Sequence, residues 1–241
     1  MIVLGIDTSG YVNAVGICDG DCVLADASFP ARADSLEQIV DNIDATLKSA
    51  GLTLKDVAGI GVGLGPGSWT GIKVGVTVGK MLAFSASKPV AGITTLEALA
   101  YAARRESSLV YAVVSAGIRD TVYAACYRFN GNRVIQEGDY FAGGIKDLAP
   151  LIKEPVLLVG SGIESYREAI VGENGSLKIK VRALEATPNG AAIACLAAGR
   201  LEQGKSDNTL SLTPLYLKES TAKAFINKYA PQAKGKNKCS F

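Results

Sequence analysis

Residues 2–29 read IVLGIDTSGYVNAVGICDGDCVLADASF, and residues 109–141 read LVYAVVSAGIRDTVYAACYRFNGNRVIQEGDYF. The two stretches share one grammar. An apolar strand runs into a short turn, Thr8–Tyr11 in the first and Ala116–Asp120 in the second. A second strand follows, and a tight Asp19-Gly20-Asp21 or Asn130-Gly131-Asn132 hairpin leads to a third. What comes next is also alike. After the first meander a helix is expected over residues 35–50. Leu36, Ile39, Val40, Ile43 and Leu47 give it one apolar face, and Ser35-x-x-Gln38 resembles a capping box. A strand over Ala58–Leu64 then enters GLGPGSWTG at residues 63–71. After the second meander come a shorter helix near Ile145–Ile152, a strand over Pro155–Val159, and Gly160-Ser161-Gly162. The pattern predicts a duplicated β-β-β-α-β-α unit, with an N-terminal lobe at 1–105 and a C-terminal lobe at 106–218 facing it across a cleft. A helix over 188–203 is expected to cover one sheet, and Leu210–Leu217 to return and pack across the halves.

Length and composition bound the chemistry. The 241 residues suffice for one large domain or two modest ones with a substantial core. A net charge of +2 gives no global field that would favour nucleic acid, but the charge is uneven. From Lys218 onward six lysines stand against one acid, Glu219, so residues 219–241 are expected to be a basic, disordered tail. The sharper alternative for that tail is a weak contact to RNA phosphates. Five cysteines (Cys18, Cys22, Cys126, Cys195, Cys239) form no C-x-x-C, and there is no histidine at all. This removes Ser-His-Asp and Cys-His catalysis and most transition-metal sites, so no catalytic residue and no metal ligand is assigned. Scattered reduced thiols, no signal-peptide pattern in MIVLGIDTSG and no long apolar run point to a cytoplasmic protein with no membrane segment.

Two features carry the functional reading. The glycine loop fails both nucleotide patterns: Lys73 is misplaced for G-x-x-x-x-G-K-[ST], and no third glycine completes G-x-G-x-x-G. It remains a strand-to-helix turn in which Ser68 or Thr70 can cap the helix, and free N–H groups there can bind an anion. Asp7-Thr8-Ser9 at the first turn is the other candidate: an acid for hydrated Mg²⁺ with hydroxyls and amides for phosphate, or simply an Asx-type turn. Asp7, Thr8, Ser9, Gly65, Gly67, Ser68 and Thr70 are thus the candidate nucleotide contacts. The second half offers Ser115 where a matching acid would stand. Behind the loop, Gly71, Gly75, Gly79 and Ala83 fall every fourth residue, on one face of a helix. Glycine in a helix interior costs about 0.5–1 kcal/mol, so a close approach must offset it. That approach is to the chain's own sheet or to a second subunit. The alternation of Ile72, Val74, Val76 and Val78 would suit a strand, but Met81, Leu82 and Phe84 extend the segment to helix length.

IDTSGYVNAVGI, GLGPGSWTGIKVG, SAGIRDTVYAACY and PLYLK together resemble the bacterial TsaB (YeaZ) family, from Met1 to about Lys218. The most specific piece is G-P-G-S-[FW]-T-G-[LI]-[RK]-x-G, met here with Trp69, Ile72 and Lys73. The resemblance implies an actin-like, ribonuclease-H-like two-lobed ATPase fold. It also implies a non-catalytic subunit that dimerises with a homologous catalytic subunit, TsaD, in threonylcarbamoyl transfer to a tRNA adenosine. A TsaE-like ATPase and tRNA join the same complex. The catalytic homologue carries a metal-binding histidine pair that this chain lacks, so no catalytic activity is expected of the chain alone. In the family the helix at 35–50 and the one after the glycine loop form the pairing surface, for TsaD or for a second copy as a homodimer. This gives Leu36, Ile39, Ile43, Gly71, Gly75, Gly79 and Ala83 as expected interface residues. Departures at Ala33-Asp34-Ser35, where relatives often carry histidine, and at Ser115-Ala116-Gly117-Ile118-Arg119, where they carry an Asp-Ala-Arg-type turn, bear on the nucleotide site. No cofactor is required on this reading, and weak ATP or ADP binding is left open. The rival from another class is an ATP-dependent small-molecule kinase of the acetate or sugar type.

Overall fold

In strand β1 (Ile2–Asp7) Leu4 and Ile6 turn to one face of a sheet, and Val3 and Gly5 turn to the other. That alternation sets up the layers. The structure, a computed structural model, describes residues 1–30, 37–117, 120–131, 133–152, 156–163, 181–184 and 189–217. β1 pairs antiparallel with β2 (Val12–Asp19), which pairs with β3 (Cys22–Pro30) through a two-residue hairpin loop whose Gly20 has φ +55°. Helix α1 (Ile39–Ser49) leads to β4 (Gly59–Gly63), parallel to β1, and α2 (Trp69–Ser85) leads to β5 (Val90–Ile93), parallel to β4. The first sheet has the order β3-β2-β1-β4-β5. After α3 (Thr95–Ala102) the same plan starts again with β6 (Leu109–Ser115), β7 (Thr121–Asn130) and β8 (Arg133–Gly144). The short helix α4 (Ile145–Leu148), a 3₁₀ turn (Ala149–Leu151), β9 (Val156–Val159) and β10 (Val181–Leu184) complete it. The second sheet runs β10-β9-β6-β7-β8, the first order read in reverse, and Gly131 at its hairpin has φ +60°. The expected duplication therefore extends to strand order. Ser35, proposed as a helix cap, Leu36, residues 164–180 and the basic tail lie outside the described residues.

Four clusters fill the space between layers. Leu4, Ile6, Val15 and Ile17 meet Ile39, Ile43 and Leu47 of α1 on the outer face of the first sheet, with Val74, Val78 and Leu82 of α2 alongside. Ile60, Val62 and Val90 meet Ile72, Val76 and Ala83 of α2. The second sheet packs on α4 through Val113, Val122, Ile145 and Leu148. The largest cluster lies between the sheets and joins Val3, Ile93, Leu96, Leu99, Val110, Ala112, Tyr127 and Val159 to residues 191–198 of the last helix, α5 (Gly190–Glu202). Val40, expected on the buried face of α1, is 54% exposed, because the α1 stripe that reaches the sheet is only Ile39, Ile43 and Leu47 wide.

Helix α5 covers the first sheet, as expected, lying on β1, β2, β4 and β5, and with α3 on its other side it is buried nearly all round from Gly190 through Ala198. Its alanines allow this because the first sheet meets it with glycines. A Cβ on Gly61 would lie 2.7 Å from Ala197 Cβ, and one on Gly5 would lie 2.5 Å from the Ala194 amide nitrogen. Gly16 would overlap Ala191 and Gly190 in the same way. Asn189 caps the helix, its Oδ1 accepting from the Ala192 N–H at 2.8 Å. From β3, Asp26 accepts from the Ala191 N–H (3.1 Å) and from Asn189 Nδ2 (3.0 Å). At the other end Arg200 donates to Gly92 O (2.5 Å) and to the largely buried Glu97 (2.6 Å), tying α5 to β5 and α3.

The segment after α5 departs from expectation. It runs along the first half rather than across both. Asp207 donates its N–H to Val90 O (2.8 Å) and accepts from Gly92 N–H (2.7 Å). Leu212 is buried beside Ile72 and Val90, Lys80 donates to the carbonyls of Leu210 and Leu212, and Leu215 N–H donates to Leu64 O at 2.8 Å. Only Leu217 reaches the core between the sheets.

The close approach predicts an asymmetry between glycines. Gly16→Ala should lower unfolding free energy by roughly 3 kcal/mol or more, since backbone atoms of α5 occupy the space its methyl group would take. Gly199→Ala, within α5 itself, meets nothing within 4 Å and should raise it by about 0.5–1 kcal/mol. Urea denaturation of the two variants checks both signs.

Candidate functional site

β1 ends at Asp7, and the turn that follows is enclosed from three sides. The Ser9 N–H donates to Asp7 Oδ1 at 2.7 Å, and the Thr95 hydroxyl at the start of α3 donates to Oδ2 at 3.2 Å. Ser9 Oγ lies 2.8 Å from Thr95 Oγ1, and the Thr8 hydroxyl donates to the Gly71 carbonyl at 2.6 Å. The glycine loop closes over this turn. The Ser68 N–H donates to Ser9 O (2.6 Å), the Thr95 N–H donates to Gly65 O (2.8 Å), and Ser68 Oγ caps α2 by accepting from the Gly71 N–H at 3.3 Å. Gly65 has φ +87° and precedes a cis Pro66, where a side chain other than glycine would be strained and would strike Ile72. Asp7 is completely buried, and Thr8 and Ser9 nearly so.

Burial raises the Asp7 carboxyl above the usual carboxylate range, outweighing the Ser9 and Thr95 hydrogen bonds that favour the charged form. Space for the carboxylate exists because Gly63 has no side chain: a Cβ there would lie 2.6 Å from Asp7 Cγ. The structure thus brings Asp7, Thr8, Ser9, Gly65, Gly67 and Ser68 together, and their polar groups satisfy one another. Thr70 is separate from them and exposed on the first turn of α2. A hydrated cation held by Asp7 would need a solvent path that this arrangement does not provide. Ser115 ends β6 as Asp7 ends β1, and its Oγ accepts from the Gly117 N–H at 3.3 Å. Among the described residues no group of three or more His, Cys, Asp or Glu is placed to hold a metal ion. Thr95 completes the cluster and was not among the expected residues. The available signal was Thr94-x-x-Glu97, a helix-start pattern in which Thr94 Oγ1 accepts from the Glu97 N–H at 3.1 Å.

The expected interface residues require a correction. Gly71, Gly75, Gly79 and Ala83 are all buried, and so are Ile39 and Ile43. A Cβ on Gly71 would overlap Thr8 O, one on Gly75 the Thr8 hydroxyl, and one on Gly79 Val62. The every-fourth glycines bring α2 against its own sheet, so they face away from any partner. What the outer layer exposes is a different set: Val40 on α1, with Thr77, Met81 (61% exposed) and Phe84 (66%) on α2. At the start of α2, Trp69 is 44% exposed, with the Tyr216 ring centred 4.3 Å from its own and the Lys73 ammonium 4.4 Å from its centroid.

Two stacked α/β lobes of identical strand order, with an acid-bearing turn closed at the end of β1, define the actin-like, ribonuclease-H-like class. YeaZ from Pseudomonas aeruginosa superimposes on 90% of this chain and 99% of its own, with a TM-score of 0.77 at 24% identity. Component A of the (R)-2-hydroxyglutaryl-CoA dehydratase of Acidaminococcus fermentans shares the fold more distantly, with a TM-score of 0.50 at 14% identity over 84% of this chain and 99% of its own. In sequence, the tRNA threonylcarbamoyladenosine biosynthesis protein TsaB of Bacillus subtilis is 26% identical over 227 residues, covering 93% of this chain and 97% of that protein. The family model described as TsaD, tRNA N6-adenosine threonylcarbamoyltransferase, matches residues 30–224, and the chain belongs to that family. The likeness to TsaB and YeaZ places it on the TsaB (YeaZ) side of the family.

The buried acid gives a pH prediction with a definite sign. A carboxyl raised in the folded state binds its proton more tightly there than in the unfolded chain, so stability falls as pH climbs from the ordinary carboxylate value through the raised one. Asp7→Asn removes that loss, and its melting temperature should gain on the wild type as pH rises above the ordinary carboxylate value of about 4. A variant that is less stable than wild type by the same margin at every pH would show that Asp7 is ionised in the fold.

Proposed function

We propose that this chain is a non-catalytic, cytoplasmic scaffold subunit in formation of threonylcarbamoyladenosine on tRNA. It dimerises with a TsaD-like catalytic homologue and supports that subunit during threonylcarbamoyl transfer to adenosine. A TsaE-like ATPase and tRNA join through the complex, and a homodimer forms over the same surface when the homologue is absent. The reading needs no cofactor in this chain. The observation that carries it is the outer layer of the first lobe, where Val40, Met81 and Phe84 stand exposed on two adjacent helices. Large apolar side chains grouped on one surface are what a partner's core residues cover, and such side chains supply most of the binding energy. The kinase alternative finds no support in the described residues, since Asp7, the acid expected to hold Mg²⁺, spends its oxygens on Ser9 and Thr95.

Size-exclusion chromatography with the TsaD-type protein of the same organism tests the reading. The two chains should co-elute as a heterodimer at about micromolar concentration. Met81→Asp with Phe84→Asp should weaken the complex at least tenfold, since each buries a charge at the contact. Failure of the wild-type chain to co-elute, or an unchanged complex in the double variant, contradicts it.

A further inference from the structure

Cys18 and Cys195 stand far apart in the sequence but meet where β2 touches α5. Gly16 and Cys18 share the inner face of β2, and Ala191 and Cys195 lie one turn apart on α5. Gly16 lets the Ala191 backbone come into contact with the strand, so the next pair along, Cys18 and Cys195, is drawn together as well. The Cys18 thiol donates to Ala191 O at 3.3 Å and lies within hydrogen-bonding reach of the Cys195 sulfur. Cys18 is fully buried in the core between the sheets, whereas Cys195 packs against that core and is partly open to solvent.

The two thiols are not equivalent. The hydrogen bond with Cys18 draws the Cys195 thiol below the ordinary cysteine value, against the opposing effect of burial, and the Arg104 guanidinium adds to the shift. Arg104 is fixed over the Tyr101 ring, 3.7 Å from its centroid, and donates to Tyr101 O at 2.9 Å. The same thiol–thiol bond and burial push Cys18 up, so it keeps its proton.

We propose that Cys18 and Cys195 are a redox-active dithiol, a modification site at which hydrogen peroxide closes a disulfide between β2 and α5. The Cys195 sulfur, as thiolate, attacks one peroxide oxygen. The O–O bond breaks, and the departing hydroxide takes up the proton Cys195 gave up and leaves as water. The Cys18 sulfur then attacks the Cys195 sulfenic acid. The S–O bond breaks as the S–S bond forms, and the Cys18 proton leaves with the hydroxyl as a second water. The two thiols lose two electrons and the peroxide gains them; a dithiol reductant reverses the change. Cys22, exposed on β3, and Cys126, buried in the separate cluster under α4, take no part. The bridge fastens α5 to the strand it already touches and closes a loop of most of the chain, which makes the oxidised form the more stable one.

Stoichiometric hydrogen peroxide on the reduced full chain, followed by denaturation, alkylation and intact-mass measurement, tests the assignment. The single chain should lose the mass of two hydrogen atoms and present two fewer alkylatable thiols, and dithiothreitol should reverse both changes. Cys18→Ala and Cys195→Ser should each abolish the loss, and Cys22→Ser and Cys126→Ser should each leave it intact. The oxidised chain should melt about 5 °C above the reduced one. Oxygen added to Cys195 with Cys18 still alkylatable, a bridge that survives Cys18→Ala, or an oxidised chain that melts below the reduced one overturns the proposal. If Cys18→Ala does not fold, Cys195→Ser, at a partly exposed position, carries the comparison.

Discussion

Helix α5 lies against the first sheet at the distance of backbone contact, and the rest of the molecule is arranged around that approach. Gly5, Gly16, Gly59 and Gly61 pave the inner face of β1, β2 and β4, and α5 answers with Gly190 and a run of alanines. Side chains of ordinary size at these positions would hold the helix well away from the sheet. Because the helix sits so close, its opposite side still reaches α3, which packs on β6, β7 and β8 of the second sheet, and one core can join both halves. The chain end is thereby returned to the first lobe. Asp26 and Asn189 fix the start of α5, Arg200 fixes its end on Gly92 and Glu97, and the strap beyond is aligned along β5.

The same device recurs at the end of β1 with a different outcome. Gly63 clears room for the Asp7 carboxylate, and Gly67, Gly71 and Gly75 let the loop and α2 settle on Ser9 and Thr8. In an open site these amides and hydroxyls would face a phosphate. Here they bond to one another, and the acid is sealed among them with its carboxyl pushed toward the neutral form. Closure of the turn also anchors α2 from within. The apolar residues left over, Val40, Met81 and Phe84, are then available on the outside of a rigid layer. A fold whose relatives include an enzyme component has in this chain its polar turn closed and its helical face exposed.

Much of this was legible in the sequence, and the parts that were not share a cause. Two hairpins, Asp19-Gly20-Asp21 and Asn130-Gly131-Asn132, revealed the duplication because turn chemistry is local. The spacing of Gly71, Gly75 and Gly79 correctly announced a close approach along a helix, but spacing names no partner. The partner turned out to be Thr8 and Val62 of the same chain. Gly61 and Gly63 were visible only as a failed nucleotide pattern, since Gly61 faces a helix some 130 residues later and Gly63 makes room for Asp7 on the neighbouring strand. Val40 was placed on the wrong face because a helical stripe does not state how wide the groove beneath it is. Thr95 and Tyr216 reach their sites through the crossovers of the sheet and the return of the strap, which no local rule encodes.

The central claim is that the acid turn is a closed structural cluster and that the chain acts through its surfaces. Isothermal titration of the isolated chain with Mg²⁺-ATP tests it most directly. The closed cluster predicts no saturable heat up to about millimolar nucleotide, in the wild type and in Asp7→Asn alike. A dissociation constant below about 1 mM that is lost in Asp7→Asn would mean that the turn opens to a metal–nucleotide complex, and would contradict the account.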